Sequence, residues 1–316
     1  MAAVRHAMVT GGAGFIGSHL VRALLDEGYD VRVFDNFSTG KRANLEEVAD
    51  RIDLIEGDIR DVHTVERAVG GVDLVFHQAA LPSVPRSVKD PIASNEVNVS
   101  GTLNVLVASR DAGVKRVVYA SSSSVYGANP ELPKHESMSA DPVSPYAVSK
   151  LTAESYCRVF HRIYGLETVS LRYFNVFGPR QDPNSPYSGV IPKFVSWLNQ
   201  GEPPRIEGDG EQTRDFTYVE NVVRANLLAS RACEVAGEVF NIACNARVSI
   251  NELAGKLARL VCPEAAIEPI HVNPRPGDVR HSLASIEKAK RLLDYEPLAG
   301  FDEGLERTVE WFTDRL

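Results

Sequence analysis

Tyr146 and Lys150 stand four residues apart in VSPYAVSK (143–150), directly after Ser144 and Pro145. Serine is a favoured helix N-cap and proline fits the first helical position, so the segment predicts a helix from 145. On that helix both side chains share one face, with a rise of about 6 Å between their Cα atoms. A phenol and an ammonium so arranged could move a proton. A free tyrosine titrates near about 10, so half-ionisation at neutral pH needs a shift of roughly three units, about 4 kcal/mol. A nearby cation typically supplies about one to three units. Lys150 alone is therefore marginal as the activator of Tyr146, and a second positive charge would complete it. An exposed helix pair would carry the same two residues, so their company decides.

That company includes ASSSSVYG (120–127), at the end of the apolar run RVVYAS (116–121). Ligands of an open parallel sheet sit beyond the carboxyl ends of its strands. Ser121, Ser122, Ser123 and Ser124 are thus placed where chemistry would occur, although four serines also make a plain polar loop. Near the start, the strand AMVT (7–10) runs into TGGAGFIGSHL. Gly11, Gly14 and Gly17 follow the pattern G-x-x-G-x-x-G, and a helix is expected from about Phe15. Glycines let such a turn tighten and approach a pyrophosphate, while the helix N-terminus offers free N–H groups. The second strand ends at Asp35, 18 residues past Gly17. A carboxylate there accepts hydrogen bonds from adenosine ribose hydroxyls and repels a 2′-phosphate, which favours NAD over NADP. Lys41 and Arg42 nearby temper that preference.

The elements that must position these residues alternate strand with helix. Strands are expected at 7–10, 31–35, 52–57, 73–77, 116–121 and 168–174, with amphipathic stretches near 15–28, 61–70, 94–112 and 145–164. Such β-α repetition implies a parallel sheet covered on both faces by helices. After Asn175 comes the loop-like GPRQDPNSPYSG (178–189), then helical patterns near 190–200 and 218–232, the strand VFNIA (239–243), and helices near 249–260, 284–293 and 302–314. The fold class is α/β, a Rossmann-like sheet plus a smaller C-terminal α/β part.

Composition bounds the function. The 316 residues carry a net charge of −8, which argues against nucleic acid or an anionic membrane as main partner. The four cysteines, Cys157, Cys233, Cys244 and Cys262, form no C-x-x-C pair, so no metal is expected. No signal peptide and no apolar run near the roughly 20 residues of a membrane helix is seen, so the expected setting is cytoplasmic.

Strand-end serines, Y-x-x-x-K at the next helix start and the N-terminal glycine turn together resemble the extended short-chain dehydrogenase/reductase family, over nearly the whole chain. The domain limits that this resemblance implies are residues 1–177, with about 215–243, for an NAD-binding domain, and 178–214 with 244–316 for a substrate-binding domain. The resemblance implies that Tyr146 is the general base, that Lys150 holds the nicotinamide ribose, and that Ser122 bonds the reacting hydroxyl with Ser123 and Ser124 beside it. Lys150 plus the positive ring of bound NAD would then suffice to activate Tyr146. It further implies a cofactor site of Gly11, Gly14, Phe15, Ile16, Gly17, Asp35, Asn36, Ser38, Gly40, Asn98 and Tyr173. GDIRD (57–61) resembles the segment whose Asp58 and Ile59 hold adenine. HQAA (77–80) resembles the strand-four turn that runs along the cofactor with Gln78, Ala79 and Ala80. Helices 94–112 and 145–164 resemble the pair that forms a homodimer bundle in the family.

Several segments resemble those of nucleotide-sugar 4-epimerases. LRYFNVFGP (171–179) places Asn175, and GDGEQTRDFTYV (208–219) places Arg214, on the sugar-nucleotide diphosphate. RPGDVRHS (275–282) places Arg275 on the same phosphates and Asp278 on the nucleoside ribose. Gly189, Val190 and Lys193 complete the implied substrate site. Two arginines on one diphosphate make charge-assisted sense. Dehydratase relatives carry an Asp-Glu pair after the catalytic hydroxyl, and decarboxylating relatives a glutamate. Here those positions are Ser123 and Ser124, leaving elimination without an evident acid–base pair. The resemblance therefore implies oxidation at C4 of a UDP-hexose by tightly bound NAD, rotation of the 4-keto sugar, and reduction from the other face. Ser282, at the family's sugar gate, is small enough to admit an acetamido group, and Ser83 is placed near that sugar. The expected substrate pair is UDP-GlcNAc/UDP-GalNAc, with UDP-Glc/UDP-Gal also accepted. A UDP-glucuronate 4-epimerase, another dehydratase or decarboxylase of the family, and a non-catalytic NAD-binding protein are the alternatives.

Overall fold

Short runs of β-branched and aromatic residues, each followed by an amphipathic stretch, build a parallel sheet with helices on both faces. The structure, a computed structural model, describes residues 5–314 apart from 184, 186–188, 265–266 and 275–279. The first six strands are β1 (His6–Thr10), β2 (Asp30–Asp35), β3 (Ile52–Glu56), β4 (Leu74–His77), β5 (Arg116–Ser122) and β6 (Glu167–Tyr173). Four short strands follow, β7 (Val176–Phe177), β8 (Arg205–Glu207), β9 (Thr213–Arg214) and β10 (Thr217–Tyr218). The chain then returns to the sheet with β11 (Val239–Ile242) and ends its strands with β12 (Val248–Ser249) and β13 (Ile270–Val272). The order of the main sheet is β11-β6-β5-β4-β1-β2-β3. Its connections reverse direction between β1 and β4, which opens the crevice where dinucleotides bind in such sheets. The short strands pair as β7–β10, β9–β12 and β8–β13.

The helices are α1 (Phe15–Asp26), α2 (Val62–Val69), α3 (Val84–Lys89), α4 (Pro91–Asn95), α5 (Thr102–Asp111), α6 (Pro145–Tyr164), α7 (Val190–Asn199), α8 (Val219–Arg231), α9 (Ile250–Val261), α10 (Glu287–Leu293) and α11 (Phe301–Thr313). One core, with Val9, Leu20, Phe76, Leu171 and Phe240, lies on the α1 and α8 side of the sheet. A second, with Met8, Val75, Leu106, Tyr119 and Phe160, lies under α2, α5 and α6. A third, with Phe194, Leu198, Phe216, Leu253 and Phe312, belongs to the C-terminal elements. Residues 284–295, assigned from the sequence to the substrate part, instead contribute Ile286, Ala289 and Tyr295 to the first core. Their apolar side chains pack α10 beside β11.

The expected helix 94–112 is three pieces. A π-helical turn, Glu96–Gly101, separates α4 from α5. It turns Asn98 inward, where its side chain accepts from the Leu81 amide (2.7 Å) and donates to Leu81 O (3.1 Å) and Ser149 Oγ (3.1 Å). A periodicity of 3.6 cannot announce such a turn, because one extra residue leaves the apolar pattern nearly intact.

A buried chain of hydrogen bonds ties this turn to the crevice. Thr102 Oγ1 donates to Asn98 O (2.7 Å), so its oxygen accepts from His77 Nε2 (2.9 Å). The Ala79 amide donates to Thr10 Oγ1 (3.2 Å), whose own proton goes to His77 Nδ1 (2.7 Å). His77 is therefore neutral with its proton on Nε2, the state the two threonines require. Burial first, and the Lys150 charge second, push its pKa from 6.5 down to about 3. A base with a depressed folded pKa contributes stability that is present above its unfolded pKa and is lost as pH falls. The thermal midpoint is thus expected to drop between pH 6.5 and 3, and to drop less steeply in His77→Gln. Equal slopes in calorimetric scans of the two proteins would contradict this role.

Candidate active site

Ser144 caps α6 by accepting from the Ala147 amide (3.2 Å), and Pro145 occupies the first turn. The helix then presents Tyr146 and Lys150 toward the carboxyl end of β5. Lys150 Nζ donates to Ala120 O (2.8 Å) and lies 5.9 Å from the centre of the Tyr146 ring. Ser122, the last residue of β5, stands beside the Tyr146 phenol and favours its ionised form. It also accepts from Ser124 Oγ (2.9 Å) and the Ser124 amide (3.2 Å). Ser123 opens the 3-10 turn Ser123–Tyr126 that carries Ser124. Burial pushes Lys150 down to about 8, so the ammonium still dominates at pH 7. Burial pushes Tyr146 up from its ordinary value, and the Ser122 hydroxyl opposes it; desolvation is the larger effect.

Tyr146 and Lys150 line a groove of about 710 Å³, whereas Ser122, Ser123 and Ser124 do not line it. Its wall holds Gly11, Gly14, Phe15, Ile16 and Gly17 from the first turn, Asp35, Asn36, Ser38 and Gly40 from the second, and Gln78, Ala79, Ala80 and Tyr173 from the sheet centre. The glycine turn is a cradle that a side chain would fill. A Cβ on Gly17 would lie 2.2 Å from Gly11 O, and one on Gly11, at φ +68°, 2.7 Å from the Ala79 amide nitrogen. Gly14 caps α1 without a side-chain hydrogen bond, and no acidic residue occupies the helix's first turn. Free N–H groups at that end suit a pyrophosphate. Asp35 accepts from the Ala13 amide (2.9 Å) and the Phe37 amide (2.8 Å), one on each oxygen. Each oxygen keeps a lone pair for a ribose hydroxyl. The residues present therefore fit a dinucleotide.

Three residues assigned to the cofactor do not line this groove. Asn98 clamps Leu81, which lines the groove, as described above. Ile59 is buried against Gly101. Asp58 pairs with Arg60 (2.8 Å) and accepts from Asn36 Nδ2 (2.9 Å), and Arg60 above all draws its carboxyl down to about 2.

A second cavity of about 300 Å³ adjoins the groove, and Gln181 and Gly189 line both. Asn175, Val190, Lys193 and Arg214 lie on its wall, with an apolar side of Phe177, Phe194 and Trp197. Arg214 Nη1 is braced by Thr213 O (3.0 Å) and Arg280 O (3.2 Å). Ser282 sits behind Asn175, accepting from its Nδ2 (3.0 Å) and from the Asp215 amide (3.1 Å). Ser83 caps α3 by accepting from the Arg86 amide (3.2 Å), and lines neither cavity. Arg275 and Asp278 lie outside the described residues.

Sequence reasoning missed Asp215 and Gln181. Asp215 is fully buried beside Arg214 and accepts from the Cys244 (3.0 Å) and Ala284 (3.1 Å) amides. Burial raises it to about 6. It fastens two distant segments to the Arg214 strand, and its adjacency to Arg214 was the available signal. Gln181 stood in a loop-like run whose composition said only that it is a loop. Among the described residues no cluster of side chains could hold a metal, and no helix is long and apolar enough to cross a membrane.

Fold and site define a dinucleotide-dependent enzyme of the Rossmann class with a second ligand cavity at its active end. Comparison with known proteins agrees. The profile of the NAD dependent epimerase/dehydratase family matches residues 7–243. UDP-N-acetylglucosamine 4-epimerase from Methanobrevibacter ruminantium, solved with UDP-N-acetylmuramic acid, is 42% identical, with a TM-score of 0.94 and 99% of each chain covered. Thermus thermophilus UDP-glucose 4-epimerase, solved with NAD, is 38% identical, with a TM-score of 0.89 and coverage of 98% of this chain and 100% of that one. UDP-glucose 4-epimerase of Mycolicibacterium smegmatis is 39% identical over 312 residues, 98% of each chain. The chain belongs to the NAD dependent epimerase/dehydratase family, of the extended short-chain dehydrogenase/reductase type, and its cofactor is NAD.

Proposed function

We propose that the protein interconverts the C4 epimers of a UDP-hexose, with UDP-GlcNAc/UDP-GalNAc as preferred pair and UDP-Glc/UDP-Gal also accepted. The observation that carries this reading is the junction of two cavities at one proton-handling site. Tyr146 and Lys150 line the cofactor groove, while Lys193, Arg214 and Asn175 line the adjoining cavity. Bound NAD supplies reversible two-electron oxidation at the sugar C4. The chain supplies the rest. The Tyr146 phenolate takes the proton of the 4-hydroxyl, directly or through Ser122, and later returns it. The Lys150 ammonium, held by Ala120 O, keeps positive charge beside the phenolate and reaches toward the nicotinamide ribose. Lys193 and Arg214 hold the diphosphate while the 4-keto sugar turns over. Arg275 and Asp278 are assigned to the same phosphates and to the nucleoside ribose.

The serines after Ser122 favour epimerisation over elimination. Ser124 hydrogen-bonds Ser122 and brings no carboxyl to the reacting carbon. Ser282 does not itself line the adjoining cavity; its part in admitting an N-acetylated sugar would act through Asn175, which lines the cavity and donates to the Ser282 hydroxyl.

A homodimer belongs to this reading. The face of α6 opposite Tyr146 and Lys150 exposes Val148, Val159 and Ile163, and the adjoining α3 and α4 expose Val88 and Ile92. An apolar stripe of this kind marks an association surface. Of the two helices named for the bundle, α6 carries the stripe, whereas α5 is largely covered by its neighbours.

Two outcomes are expected. Purified protein, without added cofactor, should convert UDP-GlcNAc to its 4-epimer by NMR, and Ser282→Tyr should lower that rate at least about tenfold while sparing UDP-Glc. Conversion of UDP-GlcA alone, or a product of changed mass, would replace the reading by one of the other family activities. Sedimentation should give twice the chain mass for the wild type, and one chain mass for Val159→Glu/Ile163→Glu; a monomeric wild type would remove the dimer.

A further inference from the structure

We propose that Ser121, Glu154 and Arg172 form a buried positioning unit that holds the carboxyl end of β5 in place against Tyr146. The inference rests on the reading of Tyr146 as proton acceptor. Residues 146, 150 and 154 recur at four-residue spacing, one stripe of α6. Each faces one of three consecutive residues at the end of β5. Lys150 Nζ donates to Ala120 O (2.8 Å), Ser121 Oγ donates to Glu154 Oε2 (2.9 Å), and the Ser122 hydroxyl stands beside the Tyr146 phenol. The middle station is reinforced from the next strand. Arg172 of β6 stands opposite Ser121 in the strand register. Its Nε donates to Glu154 Oε2 (2.9 Å) and its Nη2 to Oε1 (2.6 Å).

Stability does not account for this pair. Glu154 and Arg172 are 1% and 3% exposed, so both ions are out of water. Desolvation of such a pair offsets much of its Coulomb attraction, and apolar replacements of similar volume are often neutral or stabilising. Arg172 Nη1 moreover has no hydrogen-bond partner, an added cost. What the pair does supply is direction. A carboxylate gripped on both oxygens by one guanidinium cannot rotate, so it fixes the Ser121 hydroxyl, and with it the backbone that carries Ser122. Arg172 is itself confined over the Tyr126 ring, 4.7 Å from its centre. Tyr126 ends the 3-10 turn that begins at Ser123, so the same arginine braces the chain on both sides of Ser122. Misplacing a reacting group by about 1 Å can cost on the order of a hundredfold in rate.

The test replaces the ion pair by Glu154→Met/Arg172→Met, and separately makes Ser121→Ala and the triple variant. The double variant is expected to stay folded, to retain NAD, and to keep KM for the UDP-hexose within about twofold, while kcat falls about tenfold or more. The pH of half-maximal kcat should move upward, because the Ser122 hydroxyl that favours the phenolate is displaced. Ser121→Ala should lower kcat in the same way, and should add nothing in the triple variant, because it acts through Glu154. A folded double variant with wild-type kcat and pH profile would overturn the proposal, as would losses that multiply fully in the triple. If the double variant does not fold, Ser121→Ala with its pH profile decides alone. If the wild type converts no UDP-hexose, the functional reading fails instead, and a shift of the Tyr146 phenol titration between wild type and Ser121→Ala still decides the positioning.

Discussion

The Lys150 ammonium is buried and spends a hydrogen bond on a backbone carbonyl, Ala120 O, at the end of a central strand. That contact makes α6 and β5 one unit, and the remaining site is arranged around it. The helix enters through the Ser144 cap, which sets its first turn. The tyrosine side chain, one turn before the lysine, then falls beside the last strand residue, Ser122. The groove begins where the strand ends, because a parallel sheet presents its free carbonyl edges and its loop turns at that side.

Electrostatics at this unit run against the chain's own tyrosine. Burial favours the neutral phenol, and the cation that faces it has itself been weakened by burial. A protein can hold such a frustrated pair when a ligand completes the charge balance. The groove that accepts the dinucleotide is lined by Tyr146 and Lys150, so a positive nicotinamide ring bound near them would add the charge that the phenolate lacks. Cofactor binding and base strength would then be one property.

Much of this was legible in the residues. The glycine turn announced itself because no side chain fits between Gly11 and Gly17, and Asp35 because the second strand had to end near the ribose. The long helix α6 carried a cap and a periodic signal, and β5 stood out as a continuous apolar run. Strands of two or three residues, such as β7, β9 and β12, give none, since pairing rather than propensity creates them. The π-turn at Asn98 was hidden for a related reason: its cause is a hydrogen bond to Leu81, 17 residues away in the chain. Asp58, Ile59 and Asn98 follow the family pattern in type, yet they do not line the groove in this structure. Asp215 offered only its adjacency to Arg214 as a signal, because its partners are backbone amides from segments far along the chain.

The central claim is that Tyr146 becomes an effective base through the bound oxidised cofactor. It is tested most directly by titrating the phenol, as the difference absorbance between wild type and Tyr146→Phe, in cofactor-free and NAD-loaded protein. The account predicts that the Tyr146 titration lies above the ordinary tyrosine range without cofactor and moves down by at least about one unit with NAD bound. An unchanged titration on loading would contradict it.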